Sequence, residues 1–256
     1  RNAAVAACFR ARRWDCVLSL LHEGRGTLVA PDVVALNTAL SSCERTRRWR
    51  WALGLLRSAA RWCLSVDSIT YSAAVSSCEK GGQWTSALQL LRHGLLCGLA
   101  LDLIAYNGAV SACEKGRRWR EALSLLGEVW RRRLSPDAIT YSAAMTACGA
   151  CGLAAAALLL LGSMRVAGVE PAIFTYSAGV TACEKAQRWS PALQLVAEAQ
   201  SAGIRLDTIT HNAVISTCEE TGKWEQALRA LSAMQAAGGA RSDAITYNSA
   251  ISALEK

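Results

Sequence analysis

Residues 68–88 read SITYSAAVSSCEKGGQWTSAL, and residues 103–123 read LIAYNGAVSACEKGRRWREAL. The two stretches align without a gap, 35 residues apart. The same text returns as VVALNTALSSCERTRRWRWAL from Val33, AITYSAAMTACGACGLAAAAL from Ala138, IFTYSAGVTACEKAQRWSPAL from Ile173 and TITHNAVISTCEETGKWEQAL from Thr208. A unit of this size cannot bury its own apolar face, so neighbours must stack. The 256 residues hold about seven such units and read as one array rather than two globular domains. The boundaries are a partial unit 1–32, then 33–67, 68–102, 103–137, 138–172, 173–207 and 208–243, and a partial unit 244–256.

Within 68–102, Ile69, Tyr71, Ala74, Val75 and Cys78 recur at three- and four-residue spacings, which is one face of a helix. Gly81-Gly82 breaks it. Trp84, Ala87, Leu88 and Leu91 then follow the spacing of a second amphipathic helix, whose end Gly94 and Gly98 are expected to fray. Every unit reads this way, so the spacing predicts an all-α chain with two antiparallel helices per repeat.

Lys and Arg exceed Asp and Glu by 28 to 20, a formal charge of +8 that favours a polyanionic partner. The longest uncharged apolar stretch, Gly152 to Met164, is too short to span a bilayer, so no membrane partner is expected. No signal peptide is visible at the start. The chain begins without Met in mid-repeat and stops at Lys256 inside a helical pattern, and so reads as a fragment. Seven of the eleven cysteines, Cys8, Cys43, Cys78, Cys113, Cys148, Cys183 and Cys218, fall in one column. Stacked helices lie about 8–10 Å apart, beyond the ~7 Å limit of a disulfide, so these cysteines are expected to be small buried residues in a reducing compartment. Cys148 and Cys151 form a CxxC, but no second pair stands nearby and His22, His93 and His211 are scattered. The unit 138–172, which also lacks the tryptophan of its neighbours (Ala154), is expected to be a weaker repeat rather than a metal or redox site. With no phosphate loop, no zinc-deaminase motif and no clustered carboxylates, neither catalysis nor a cofactor is expected.

The runs PDVV, ITYS, LIAYN and AL-x-LL, with Asp closing the unit, resemble the pentatricopeptide repeat, whose consensus runs close to VVTYNTLIDGLCKAG and ends in KGIKPD. The likeness covers essentially the whole chain and is of the P-type, 35-residue kind. This sequence departs from the consensus in its Cys-Glu-Lys and Trp elements. The resemblance implies a right-handed α-solenoid that binds single-stranded RNA, one base per repeat, in chloroplast or mitochondrial RNA processing, stability or translation. A protein-interaction scaffold, or the recognition part of a larger RNA-processing enzyme, are the alternatives.

In that family the fifth and last residues of each unit read the base and the second clamps it. Carried over, the fifth-residue readers are Asn2, Asn37, Ser72, Asn107, Ser142, Ser177, Asn212 and Asn248. Their closing partners are Asp32, Asp67, Asp102, Asp137, Ala172, Asp207 and Asp243. Asn and Ser also cap helices, and Asp suits helix starts, so a capping role stands beside the reading role. Asn offers a donor and an acceptor that complement uracil; the shorter Ser leaves room for a purine. The implied order is U, U, G, U, unspecified, G, U. The clamps would be Val34, Ile69, Ile104, Ile139, Phe174, Ile209 and Ile245, with core packing as the other reading. Arg10, Arg45, Lys80, Lys115 and Lys185, two after their column cysteines, would meet phosphates or serve helix C-termini, while Ala150 and Glu220 break the column. Trp14, Trp49, Trp84, Trp119, Trp189 and Trp224 open the second helices. They either close each hairpin against the next repeat, the preferred reading, or stack on bases.

Overall fold

The computed structural model describes residues 32–62, 64–236 and 242–255. Asn2, Arg10, Cys8 and Trp14 lie outside the described residues. Those that are described form thirteen α-helices and no strand. The first helices of the repeats are α1 (Val33–Arg45), α3 (Ser68–Lys80), α5 (Leu103–Lys115), α7 (Ala138–Ala150), α9 (Ile173–Lys185), α11 (Thr208–Glu220) and α13 (Ala244–Glu255). The second helices are α2 (Trp49–Arg61), α4 (Trp84–Leu96), α6 (Trp119–Arg131), α8 (Ala154–Val166), α10 (Trp189–Ser201) and α12 (Trp224–Ala236).

The turn inside each hairpin is short because the chain reverses in a left-handed residue two places past the first helix. Gly82 holds φ +68° there, Gly152 +71° and Gly222 +65°, while Arg47, Arg117 and Gln187 adopt φ of 56°, 54° and 52° without being glycine. The orphan carbonyls of the last turn are satisfied as the Schellman pattern requires: Gln83 N–H donates to Cys78 O at 2.9 Å and Gly82 N–H to Glu79 O at 3.0 Å.

Two compact units divide the chain. One takes the described residues up to Gly116 together with Gly127–Ser135; the other takes Arg117–Leu126 and the described residues from Pro136 onward. In the first, α1 packs on α3 and α3 on α5, while α2 and α4 each lie on the first helix of the next repeat. In the second, α7, α9, α11 and α13 stack in sequence, with α8, α10 and α12 each on the first helix of the next repeat. Each unit is thus a stack of helical hairpins, the all-α solenoid packing expected from the period.

Two expectations shift. Ile69 is not on the core face: it is 61% exposed, and Thr70 beside it is fully buried. Gly94 does not fray. It lies buried inside α4, where a Cβ would sit 3.1 Å from the Tyr71 ring and 3.2 Å from Leu101. The buried face of α3 is therefore Thr70, Tyr71, Ala74, Val75 and Cys78, with Ser72 and Ser77. The column cysteines from Cys43 to Cys218 are buried and form no disulfide among the described residues, and burial lifts the Cys78 thiol to about 12. Trp49 and Trp84 touch the next repeat: a Cβ on Gly81 would fall against the Trp49 ring, and one on Gly116 2.5 Å from Trp84.

Candidate functional site

The second residue of each first helix is apolar and points away from the core. Val34 is 66% exposed, and Ile69, Ile104, Ile139, Phe174, Ile209 and Ile245 lie between 61% and 77%. Core packing is excluded for this column. Exposed aliphatic residues are ordinary when scattered; three at one register position in the first compact unit and four in the second are a repeated feature of each. Three residues on, one turn along the same face, stand Asn37, Ser72, Asn107, Ser142, Ser177, Asn212 and Asn248. They sit inside the helices and cap none of them.

The aspartates do cap. Asp32, Asp67, Asp102, Asp137, Asp207 and Asp243 precede their helices, and each accepts the backbone N–H of the third helical residue, at 2.8 Å for Asp67 and 2.9 Å for Asp243. Three of these carboxylates also reach the fifth residue of the preceding repeat. Ser72 Oγ donates to Asp102 at 2.9 Å, Asn212 Nδ2 to Asp243 at 3.2 Å and Asn37 Nδ2 to Asp67 at 3.5 Å. At these three positions capping and contact with the preceding repeat are thus one arrangement, with the carboxylate fixed by the helix start and hydrogen-bonded to its neighbour. Burial would raise the Asp67 carboxyl, but hydrogen bonds from Thr70 and Asn37 outweigh it and hold the group below the usual carboxylate value. The backbone and hydroxyl of Thr246, with Asn212, do the same for Asp243.

A further column completes the site, one that sequence reasoning passed over. Thr70, Thr140, Thr175, Thr210 and Thr246, the third residue of their helices, are buried. Thr70 Oγ1 lies 2.7 Å from Asn37 Oδ1 and 2.7 Å from Asp67. Thr246 bridges Asn212 and Asp243 at 2.6 and 2.8 Å, and Thr210 bridges Ser177 and Asp207 at 2.9 and 2.5 Å. The signal was in the text, in the recurring ITY, but a β-branched residue in a first helical turn looks generic until its neighbour 33 residues away is known.

The basic column is less available than its spacing implies. Lys80 pairs with Glu44 at 2.7 Å, Lys115 pairs with Glu79, and Lys185 donates to Ala150 O at 3.0 Å. Each reaches back to the end of the preceding first helix, so the helix C-terminus it serves belongs to its neighbour. At 40% and 44% exposure, Lys80 and Lys115 form pairs worth about 0–1 kcal/mol each, which a phosphate can displace. Burial raises the Glu114 carboxyl, Lys115 opposes the rise and Glu79 adds to it.

The repeat 138–172 forms the same hairpin without several of these groups. Ala172 offers no side-chain cap, and Thr175 Oγ1 accepts the Ala172 N–H at 3.2 Å and lies 3.3 Å from Ser142 Oγ. Cys148 is buried and Cys151 exposed. Among the described residues, no three His, Cys, Asp or Glu side chains gather as metal ligands, and no helix is long and apolar enough to cross a membrane.

Comparison with known proteins agrees with this construction. A model described as the pentatricopeptide repeat domain matches residues 89–151 and 194–256, and a second, the PPR repeat, matches 139–169. No curated protein sequence matches. The crystal structure of the pentatricopeptide repeat protein PPR10 from maize is similar, with a TM-score of 0.65 and 26% identity over 98% of this chain and 36% of that one. The chain thus spans about a third of the maize protein's length. The PPR domain of Arabidopsis thaliana protein-only RNase P 1, solved in complex with tRNA, has a TM-score of 0.63 at 14% identity, over 71% of this chain and 95% of that one. The family models span more than half of the sequence, and the chain belongs to the pentatricopeptide repeat family.

Proposed function

We propose that this chain binds single-stranded RNA in a sequence-dependent manner, one base to each repeat. The observation that carries the reading is the repeated pairing of an exposed aliphatic residue with an oriented polar one, such as Ile69 with Ser72 and Ile209 with Asn212. A base sandwiched between the aliphatic residues of successive repeats presents its edge to the polar side chain between them. Family membership supports RNA as the partner class, and the related domain of the A. thaliana RNase P is bound to tRNA.

Bases are matched by hydrogen-bonding capacity. Asn beside Asp offers one N–H and one lone pair, which fit the imide edge of uracil. Ser72 has two inward acceptors for its one proton, the Ser68 carbonyl at 2.8 Å and Asp102 at 2.9 Å, and so offers lone pairs outward, which fit the N–H donors on the pairing edge of guanine and not the ring acceptor of adenine. Ser142 has no carboxylate at Ala172 to claim its proton, so its base is left open. The preferred sequence is UUGUNGU. We place its targets among organellar transcripts, on the family resemblance alone.

The test is a titration of labelled UUGUNGU as single strand and as duplex, at several salt concentrations. Single strand should win, because its base edges are free. With Arg10, Arg45, Lys80, Lys115 and Lys185 each meeting a phosphate, the log–log salt slope should reach about −3 to −4 at most. Salt-independent binding, or equal affinity for duplex, would rule the proposal out.

A further inference from the structure

The readers are held from two sides, and the second holder is the threonine. At Asn37 the Thr70 hydroxyl lies 2.7 Å from Oδ1, whereas Asp67 is 3.5 Å from Nδ2. At Asn212 the corresponding distances are 2.6 Å to Thr246 and 3.2 Å to Asp243. In both repeats the threonine contact is the shorter. Its single proton lies within reach of two acceptors, Asn37 Oδ1 and Asp67 Oδ1, each at 2.7 Å. Asp67 already accepts the Thr70 N–H at 2.8 Å and has no proton to give, so the amide edge facing it must be N–H. The other edge, Oδ1, then faces the threonine hydroxyl, whose proton it shares with Asp67. Flipping the amide would set its oxygen against the carboxylate and its N–H₂ against the hydroxyl proton.

We infer that the threonine at the third position of the following repeat is a positioning residue for base discrimination: it fixes which edge of the asparagine amide donates and which accepts. The inference rests on the RNA-reading proposal above and names a residue that the reading column omits. Its consequence is specific. Uracil sets a ring N–H beside a carbonyl, whereas cytosine sets a ring nitrogen acceptor beside an amino donor. A half-turn of the amide exchanges its own donor and acceptor, so U and C are told apart only if the amide cannot flip. Pyrimidine and purine are separated by size and do not depend on it.

Serine readers need the threonine less, since a hydroxyl turns to suit its partner. Ser72 faces Ala105 at this position and bonds Asp102 directly at 2.9 Å.

The experiment measures binding of the 256-residue chain to four RNAs that differ only at the second base, the one assigned to Asn37. The wild type should prefer U over C by about tenfold, the discrimination expected of one well-placed pair of hydrogen bonds. Thr70→Val keeps the side chain's shape and removes the hydroxyl; the U-to-C ratio should fall toward one while purines stay disfavoured. Thr70→Ser should restore the ratio. A merely structural role would weaken all four RNAs alike. Thr246→Val, read at the seventh base, repeats the measurement at Asn212 and decides the matter if Thr70→Val does not fold. Ala35 stands at the third position after Asn2, so the first base should separate U from C less well than the second. A wild-type ratio retained in Thr70→Val overturns the inference. A wild type with no preference at the second base overturns the base-reading proposal itself.

Discussion

Adjacent repeats 138–172 and 173–207 show what the fold requires and what the site requires. Both form two 13-residue helices in the same register. Both bury a tyrosine, Tyr141 and Tyr176, and a column cysteine, Cys148 and Cys183. They differ where they meet their neighbours. The second has Ser177, Thr210 and Asp207 joined by hydroxyl contacts of 2.9 and 2.5 Å. Closing the first is Ala172, which has nothing to accept a proton. The Tyr176 hydroxyl accepts from Arg165 at 3.2 Å, whereas the Tyr141 hydroxyl is buried without a hydrogen-bond partner among the described residues. Helix and core columns therefore survive the loss of the polar columns, and the chemistry of one repeat can change without unmaking its fold.

That comparison can be broken most forcibly at Gly149. Six other first helices carry glutamate at this position: Glu44, Glu79, Glu114, Glu184, Glu219 and Glu255. A consensus repair would put Glu there too. Yet α7 and α9 approach so closely that a Cβ on Gly149 would lie 2.8 Å from the Ala178 carbonyl oxygen. Gly149→Glu should cost about 1–3 kcal/mol through overpacking, offset in part by the ~1 kcal/mol of helix propensity that losing a glycine returns. Chemical denaturation measures it; a gain in stability would mean that the two helices separate freely.

The tyrosines give opposite signs. Tyr141→Phe removes a buried hydroxyl with no partner and should raise stability by on the order of 1 kcal/mol. Tyr176→Phe removes a partner of Arg165 and should lower it by about 0.5–1.5 kcal/mol. Equal losses in thermal or urea unfolding would erase the distinction between the repeats.

Ala172→Asp sharpens the comparison from the other side. The new carboxylate should cap α9, worth about 1 kcal/mol, and should also claim the proton of Ser142, so that the fifth base becomes selective for G. Denaturation without RNA reads the first effect, and binding of four RNAs varied at the fifth base reads the second. Stabilisation with no change in preference would make the aspartates caps alone.

The sequence made the hairpins legible because periodicity survives averaging over repeats: the 35-residue recurrence and the spacing of Tyr71, Ala74, Val75 and Cys78 leave little choice. Ile69 was harder. Hydrophobicity alone puts it in the core, and only its exposure on the helix separates it from Thr70, which trades places with it. The lysine pairs were illegible for a different reason. Lys80 meets Glu44, 36 residues earlier, by stacking and not by any spacing along one helix. The threonine bridge shares that cause, since its two partners come from different repeats. Features within one helix can be read from its period; features between repeats need the stack.

Selection of bound RNA from a randomised pool tests the central claim most directly, because it interrogates every column at once. The account predicts enrichment of UUGUNGU, with G selected at the sixth position opposite Ser177 and no base selected at the fifth opposite Ser142. A pool with no enriched motif, or a fifth position as selective as the sixth, would contradict it.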